Sequence, residues 1–374
     1  MKIGLVLDDT LDTPDGVQQY VLSVGGWLSE QGHDVHYLVG QTERTDIPNI
    51  HVLSRNVHVK FNGNRMSIPL PVSRKRLKIF LNEQQFDILH VQVPYSPFLA
   101  GRLLMVAPAR TAVIGTFHVL PYSNLVVMGN RLLSILNRSS GKRFDRMLAV
   151  SSPARHFAES VYHYQAEVVP NPVRLAEFDG AQSDSQTTNI VFLGRLVARK
   201  GVQQLLQAVK FLRDNKMYTG DYRVIIGGKG ELTGELSAMV ETGGLEGIVS
   251  LEGYVEEADK PSFLAQADIA VYPSLGGESF GIVLLEAMAA ARGVVLAGNN
   301  PGYTSVMQPY PEQLFDPMDT KSFAEKLAWY LDHPMARARA VELQRGYVHR
   351  FDIGVVGQEL LEAYTRALQS RPQS

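Results

Sequence analysis

Gly276-Gly277-Glu278-Ser279-Phe280-Gly281-Ile282-Val283-Leu284-Leu285-Glu286 is the stretch on which the reading of this chain turns. Upstream, Asp268-Ile269-Ala270-Val271-Tyr272-Pro273 has the apolar run of a short buried strand, and downstream Ala287-Met288-Ala289-Ala290-Ala291 is strongly helix-forming. A strand, a glycine-rich turn and a helix make an anion site, because the first helical N–H groups lack intrahelical acceptors and the helix dipole is positive there. Glu278 is expected at the mouth of that helix, where its carboxylate accepts from sugar hydroxyls. Glu286 is expected about two turns further in, placed to accept from a pair of ribose hydroxyls. An acid at a helix start also serves the dipole alone, but the leading glycine pair and the Ser-Phe-Gly turn favour a ligand. The ligand implied is a nucleoside diphosphate with a pendant sugar.

Outward from this stretch, the second half alternates strand and helix. Asn189–Gly194, Tyr222–Ile226, Ser250–Leu251, Ala270–Tyr272 and Gly293–Ala297 read as strands, and Gly201–Asp214 as a helix. The first half repeats the pattern, with strands at Ile3–Leu7, His36–Val39, Ile88–Val91, Ala112–Thr116 and Met147–Val150 and helices such as Val17–Gln31 and Ser73–Asn82. Such βα alternation argues an α/β chain with parallel sheets. The two prolines of Val168-Val169-Pro170-Asn171-Pro172-Val173 and the polar run Gln182–Thr188 interrupt it. The domains are therefore placed at 1–168 and 169–351.

A length of 374 residues exceeds one ordinary hydrophobic core. Hydrophobic content of 45% and charged content of 20% describe a folded globular protein. The absence of cysteine excludes a disulfide framework and thiolate chemistry, and suits a reducing compartment. Met1–Leu7 ends in Asp8-Asp9 and reads as a first strand, not a secretory leader. No apolar run reaches the roughly 18 residues of a membrane span. The net charge of -2 hides an asymmetry: residues 1–168 hold 17 Lys+Arg against 13 Asp+Glu, and no acid occurs between Asp87 and Asp145. Overall balance argues against nucleic acid as a partner.

Further residues carry chemistry. Arg195 and Lys200 in Gly194-Arg195-Leu196-Val197-Ala198-Arg199-Lys200-Gly201 follow a strand and precede a helix, so they can converge on an anion at the carboxyl edge of the sheet. Two cations can stabilise a departing diphosphate without a metal. Gly16, at the start of the first helix, lets backbone approach a phosphate closely. His118 ends the strand Ile114–Phe117 and is expected to face the ligand. Gly227-Gly228-Lys229-Gly230 matches neither a dinucleotide nor a Walker loop and reads as a turn. In Arg74-Lys75-Arg76-Leu77-Lys78-Ile79-Phe80-Leu81, helical spacing puts Leu77, Phe80 and Leu81 on an apolar face beside a basic one. This reads as an interfacial helix drawn to an anionic lipid surface.

The glutamate run, Arg195–Gly201, Gly16–Gln18 and His118 together resemble the retaining GT-B glycosyltransferases of family 4, notably the bacterial phosphatidylinositol mannosyltransferases, over nearly the whole chain. The resemblance implies two Rossmann-like doubly wound domains facing across a cleft, with the C-terminal helix within 352–374 crossing back to the first. It implies that Glu278 contacts the donor hexose, that backbone amides of Ser279, Phe280, Gly281 and Ile282 hold the β-phosphate with Arg195 and Lys200, and that Glu286 binds the ribose. Val255 and Lys260 align with the base-binding segment, His118 with the residue touching the hexose, and Gln18 with an acceptor contact. Gly16 matches the second glycine of a Gly-Gly pair whose first is Asp15 here. Asp9 stands at the acceptor side where those enzymes carry an aromatic. Arg74, Lys75, Arg76 and Lys78 match a membrane-docking helix. The implied reaction is metal-independent and cofactor-free: same-face transfer of a hexose with retention, GDP-mannose being favoured over a UDP-hexose. A lipid acceptor such as phosphatidylinositol, at the inner face of the cell membrane and served by a cytoplasmic, peripherally bound enzyme, completes the expectation. The alternatives are a UDP-hexose transferase acting on a soluble or glycan acceptor, and a nucleotide-sugar 2-epimerase.

Overall fold

The computed structural model describes all residues except 13–14, 62–63, 181–186, 291 and 372–374. The polar run read at 182–188 lies outside the described residues save for Thr187 and Thr188. The chain divides into two compact units, Met1–Pro172 with Ile353–Ser374, and Val173–Asp352.

In the first unit, β1 (Lys2–Leu7), β2 (Asp34–Val39), β3 (Ile50–Val52), β6 (Ile88–Val91), β7 (Ala112–Phe117), β8 (Arg146–Ala149) and β9 (Ala166–Val168) form one parallel sheet of order β3-β2-β1-β6-β7-β8-β9. Between β3 and β6 lies an antiparallel hairpin, β4 (Asn56–Phe61) and β5 (Asn64–Pro69). Both sheet faces are covered, which is why β1 is apolar from Ile3 onward instead of alternating. One face packs against the helices Gly16–Glu30 and Ile353–Gln369. The other packs against the helices Arg74–Gln84 and Leu99–Leu104. The C-terminal helix thus supplies Val356, Leu360, Ala363 and Tyr364 to the core of the first unit. Its Gly357 is required there, because a Cβ would meet the Trp27 ring at 2.5 Å.

The second unit starts afresh with β10 (Thr188–Leu193), β11 (Tyr222–Gly227), β12 (Val249–Gly253), β13 (Ile269–Tyr272), β14 (Val294–Gly298) and β15 (Leu314–Phe315). All pair in parallel, in the order β12-β11-β10-β13-β14-β15. The order reverses direction between β10 and β13. In doubly wound sheets the crevice outside the carboxyl ends of the strands at such a reversal is where ligands sit. The loops leaving β10 and β13 there are Gly194–Gly201 and Pro273–Gly281.

Candidate active site

The two loops are locked together by backbone. Gly201 has φ of +73°, and a Cβ on it would lie 1.9 Å from the Pro273 carbonyl oxygen. No other residue fits that approach. The Arg199 carbonyl accepts from Leu275 N–H at 2.8 Å and lies 3.0 Å from Ser274 Oγ. The Gly276-Gly277 pair and Gly281 all have positive φ, so the chain turns twice before entering the helix Ile282–Ala290. From below, Asn300 Nδ2 donates to the Ser274 carbonyl at 3.0 Å, and Gly302 lies so close that a Cβ would reach the Glu278 carbonyl oxygen at 2.0 Å. The loop carrying Glu278 is therefore seated on the helix Pro301–Met307.

On this frame the carboxylate of Glu278 collects three donors. Its Oε1 lies 2.6 Å from Arg199 Nη1, 2.9 Å from Lys200 Nζ and 2.9 Å from Ser274 Oγ. Burial alone would raise its pKa, but the Lys200 and Arg199 charges and the hydrogen bonds from Lys200 and Ser274 outweigh that and hold it at about 2. Glu278 is thus an anion at every physiological pH, an acceptor and not an acid. Burial, opposed by Glu278, leaves the Lys200 ammonium somewhat below its ordinary pKa, with Arg199 and Arg195 both adding to the lowering. Arg195, Arg199 and Lys200 consequently make one positive field around the mouth of the helix Ile282–Ala290.

A second cluster lies along the same helix. Glu286 Oε1 is 3.3 Å from Lys260 Nζ, which also meets Glu257 Oε2 at 2.7 Å. The Tyr272 hydroxyl, at the end of β13, is buried without a hydrogen-bond partner among the described residues, and Glu286 is one of the charges acting on it. Burial raises the pKa of Glu177 on the short turn Leu175–Phe178, with Arg174, Glu286 and Glu257 nearby. Val255 is half-buried against Gly227, whose glycine character leaves room for it. Of the residues singled out in this unit, the structure brings Lys200 to Glu278 and Lys260 to Glu286. Arg199, Ser274, Glu257, Glu177 and Tyr272 are additions: the spacing of cations in Arg195–Lys200 signals Arg199 without ranking it, and the others are polar residues with no motif of their own.

In the first unit, Gly16 opens the helix Gly16–Glu30 after Asp15. Gln18 is buried, donates from Nε2 to Asp9 Oδ2 at 3.2 Å, and has its Oε1 without a partner among the described residues. His118 is buried at the carboxyl end of β7, its Nε2 3.0 Å from Gln92 Oε1 and its ring against the Tyr20 edge. Burial lowers its pKa to about 3, so it is neutral at pH 7. With Nε2–H donating to Gln92, Nδ1 carries the lone pair. Asp8, which carries no motif of its own, follows β1 buried, accepts from Ala100 N–H at 2.6 Å and from Ser96 Oγ, and burial raises its pKa to about 7.

The basic helix requires a correction. Arg74, Lys75, Arg76 and Lys78 are exposed, but Leu77 and Leu81 are in the domain core with Phe80 packed beside them. The apolar stripe is spent on the sheet and is not a lipid-facing surface. Periodicity identifies such a face without saying what covers it.

Residues 14–177 match the family described as Glycosyltransferase Family 4, and residues 174–346 that described as Glycosyl transferases group 1. The phosphatidyl-myo-inositol mannosyltransferase of Mycolicibacterium smegmatis is 31% identical over 97% of this chain and 93% of its own length. The chain belongs to glycosyltransferase family 4. The enzyme of the same name from Propionibacterium freudenreichii is 30% identical to this glycosyltransferase over 99% of the chain and 96% of its own. Among solved structures, Anabaena HepE in complex with UDP-glucose aligns with a TM-score of 0.77 at 16% identity, covering 98% of this chain and 99% of that one. Sucrose-phosphate synthase from Thermosynechococcus elongatus aligns with a TM-score of 0.72 at 16% identity, over 99% and 100% of the two chains. The fold of this glycosyltransferase is GT-B, with two Rossmann-like units.

Proposed function

We propose that this glycosyltransferase moves mannose from GDP-mannose onto a phosphatidylinositol-like lipid at a membrane surface, with retention and without a metal or other cofactor. The observation that carries the reading is the buried Glu278 carboxylate held ionised at the mouth of a helix by Arg199 and Lys200, with the Arg195 charge acting on Lys200. Near-full-length likeness to proteins named phosphatidyl-myo-inositol mannosyltransferase supports the choice of mannose and of acceptor.

In this reading Arg195, Lys200 and the backbone amides of Ser279, Phe280, Gly281 and Ile282 take the β-phosphate, and Gly16 gives it backbone access. Lys200 spends one N–H on Glu278 and retains two for phosphate oxygens. Glu278 accepts from hexose hydroxyls, with Arg199 keeping it charged. Glu286 accepts from the ribose, and Lys260 and Val255 face the base. His118, neutral, positions the hexose through its ring and does not serve as a general base. As the sugar–phosphate bond breaks, negative charge grows on the diphosphate, where the cations and the helix end stabilise it. The acceptor hydroxyl attacks on the same face and gives its proton to the departing phosphate oxygen, so no carboxylate nucleophile is needed. Asp9 and Gln18, already hydrogen-bonded to one another, take the acceptor headgroup. Arg74, Lys75, Arg76 and Lys78 contribute attraction to anionic lipid, each worth about 1 kcal/mol near such a surface.

Calorimetry with GDP, GDP-mannose, UDP and UDP-glucose, paired with labelled-mannose transfer to phosphatidylinositol in vesicles, tests the proposal. Preferential binding of GDP and GDP-mannose with label recovered in lipid is expected. Tighter binding of UDP-glucose than of GDP-mannose, or binding of none of the four, overturns it.

A further inference from the structure

The helix Asn124–Leu136 of the first unit is built inside out. Its polar Asn130 and the Asn137 that caps its C-terminus are buried: Asn130 Oδ1 accepts from the Tyr162 hydroxyl at 2.7 Å, and Asn137 Nδ2 donates to the carbonyls of Tyr95 and Leu133. The outward side carries Met128, Leu132, Ile135 and Leu136, exposed by 64, 60, 70 and 60%. Positions 128, 132, 135 and 136 follow helical i, i+4, i+7 and i+8 spacing, so the four side chains form one stripe. A run of four large apolar side chains in water marks an interaction surface.

Charge identifies the occupant. Arg131 on this helix and Arg138 just beyond it are exposed, and no acidic residue occurs between Asp87 and Asp145. The helices Arg74–Gln84, Leu99–Leu104, Arg138–Gly141 and Asn124–Leu136 are successive neighbours, leading from the exposed basic helix to the apolar stripe. A symmetric contact with a second copy of the chain would set these arginines against their own kind beside the apolar patch. An anionic bilayer satisfies both features at once: acyl chains for the stripe and headgroups for the cations.

We propose that Asn124–Leu136 is the membrane-inserting element of this protein, with Met128, Leu132, Ile135 and Leu136 entering the acyl boundary of an anionic bilayer while Arg131 and Arg138 hold its headgroups. The proposal deepens the lipid-acceptor reading and rests on it, since a lipid acceptor is met only at such a surface. Sedimentation with vesicles of phosphatidylglycerol and phosphatidylcholine, free of phosphatidylinositol, reads the surface apart from the transfer reaction. Leu132→Ser combined with Ile135→Ser is expected to lower the vesicle partition coefficient about tenfold or more while calorimetric nucleotide binding is unchanged. Independently of how well that variant folds, Leu132→Trp is expected to add emission that brominated lipids quench. Equal partitioning of the serine variant and the parent chain, or no quenching of the added tryptophan, overturns the proposal. Dissociation of a dimer by the serine pair with vesicle binding retained also overturns it, giving the stripe to a second copy. Loss of binding and quenching as expected, with no mannose reaching any lipid, upholds the insertion and sinks the acceptor reading alone.

Discussion

Glu278 is the residue whose surroundings decide most. Three donors converge on a single carboxylate oxygen, and a hydrogen bond to a charged group contributes about 1.5–3 kcal/mol. If a comparable bond reaches the hexose in the transition state, Glu278→Gln lowers kcat roughly 10- to 150-fold. Steady-state kinetics beside calorimetry checks this: GDP affinity is expected within a few-fold of the parent. Glu286→Ala is expected to do the opposite, weakening GDP more than turnover, and equal loss of GDP affinity in both variants would contradict the assigned roles. The carboxyl of Glu278 also has a pH signature. Its pKa is about 2 in the fold against an ordinary 4.5, so the stability it contributes is fully present above pH 4.5 and is lost as pH falls toward 2. Urea unfolding of parent and Glu278→Gln at pH 6, 4.5, 3.5 and 2.5 should show the parent losing more stability on acidification. A parent and variant that fall in parallel would show that the cations do not hold the charge.

At the scale of elements, the closest fit is between the two loops at the strand reversal. Gly201→Ala forces a Cβ onto the Pro273 carbonyl at a positive φ, and it should cost about 1–3 kcal/mol, read as a lowered thermal midpoint, and weaken nucleotide binding with it. Unchanged melting would mean that the loops are not locked there. Glycines explain why this part of the chain was legible: Gly201, Gly276, Gly277 and Gly281 punctuate strand and helix so sharply that the strand–loop–helix frame follows from local rules. Other elements depend on contacts that the local sequence does not carry. The hairpin Asn56–Phe61 and Asn64–Pro69 forms a two-stranded sheet of its own among the described residues and carries no long apolar run. Ala166–Val168 is a three-residue strand whose place at the sheet edge depends on pairing with Arg146–Ala149, a tertiary fact. The helix Arg74–Gln84 announces an apolar face, yet only the packed sheet reveals that this face is filled. In Asn124–Leu136 the outward stripe is invisible without the structure, because apolar residues all round a helix usually mean burial.

For the whole molecule, the two units differ in how the chain composes them. Val173–Asp352 is continuous and has its own six-stranded sheet, whereas the first unit needs Ile353–Gln369 to close its core. The fragment Val173–Asp352 expressed alone should fold cooperatively by circular dichroism and bind GDP, though not catalyse transfer. A chain ending at Asp352 should retain that half and lose cooperative melting of the other, since truncation strips Val356, Leu360, Ala363 and Tyr364 from a packed core. Full cooperative melting of the truncated chain would show the last helix to be dispensable.

That dependence sets an order of events on the ribosome. The amino-terminal half emerges first but stays incomplete until the final helix is made, while the 180 residues of Val173–Asp352 are synthesised in between. At about 5–20 residues per second the wait is roughly ten to forty seconds, during which Trp27 of the helix Gly16–Glu30 and the core around it lack the cover of the last helix. The half that is born second matures first, and a chaperone has its longest opportunity on the half that is born first.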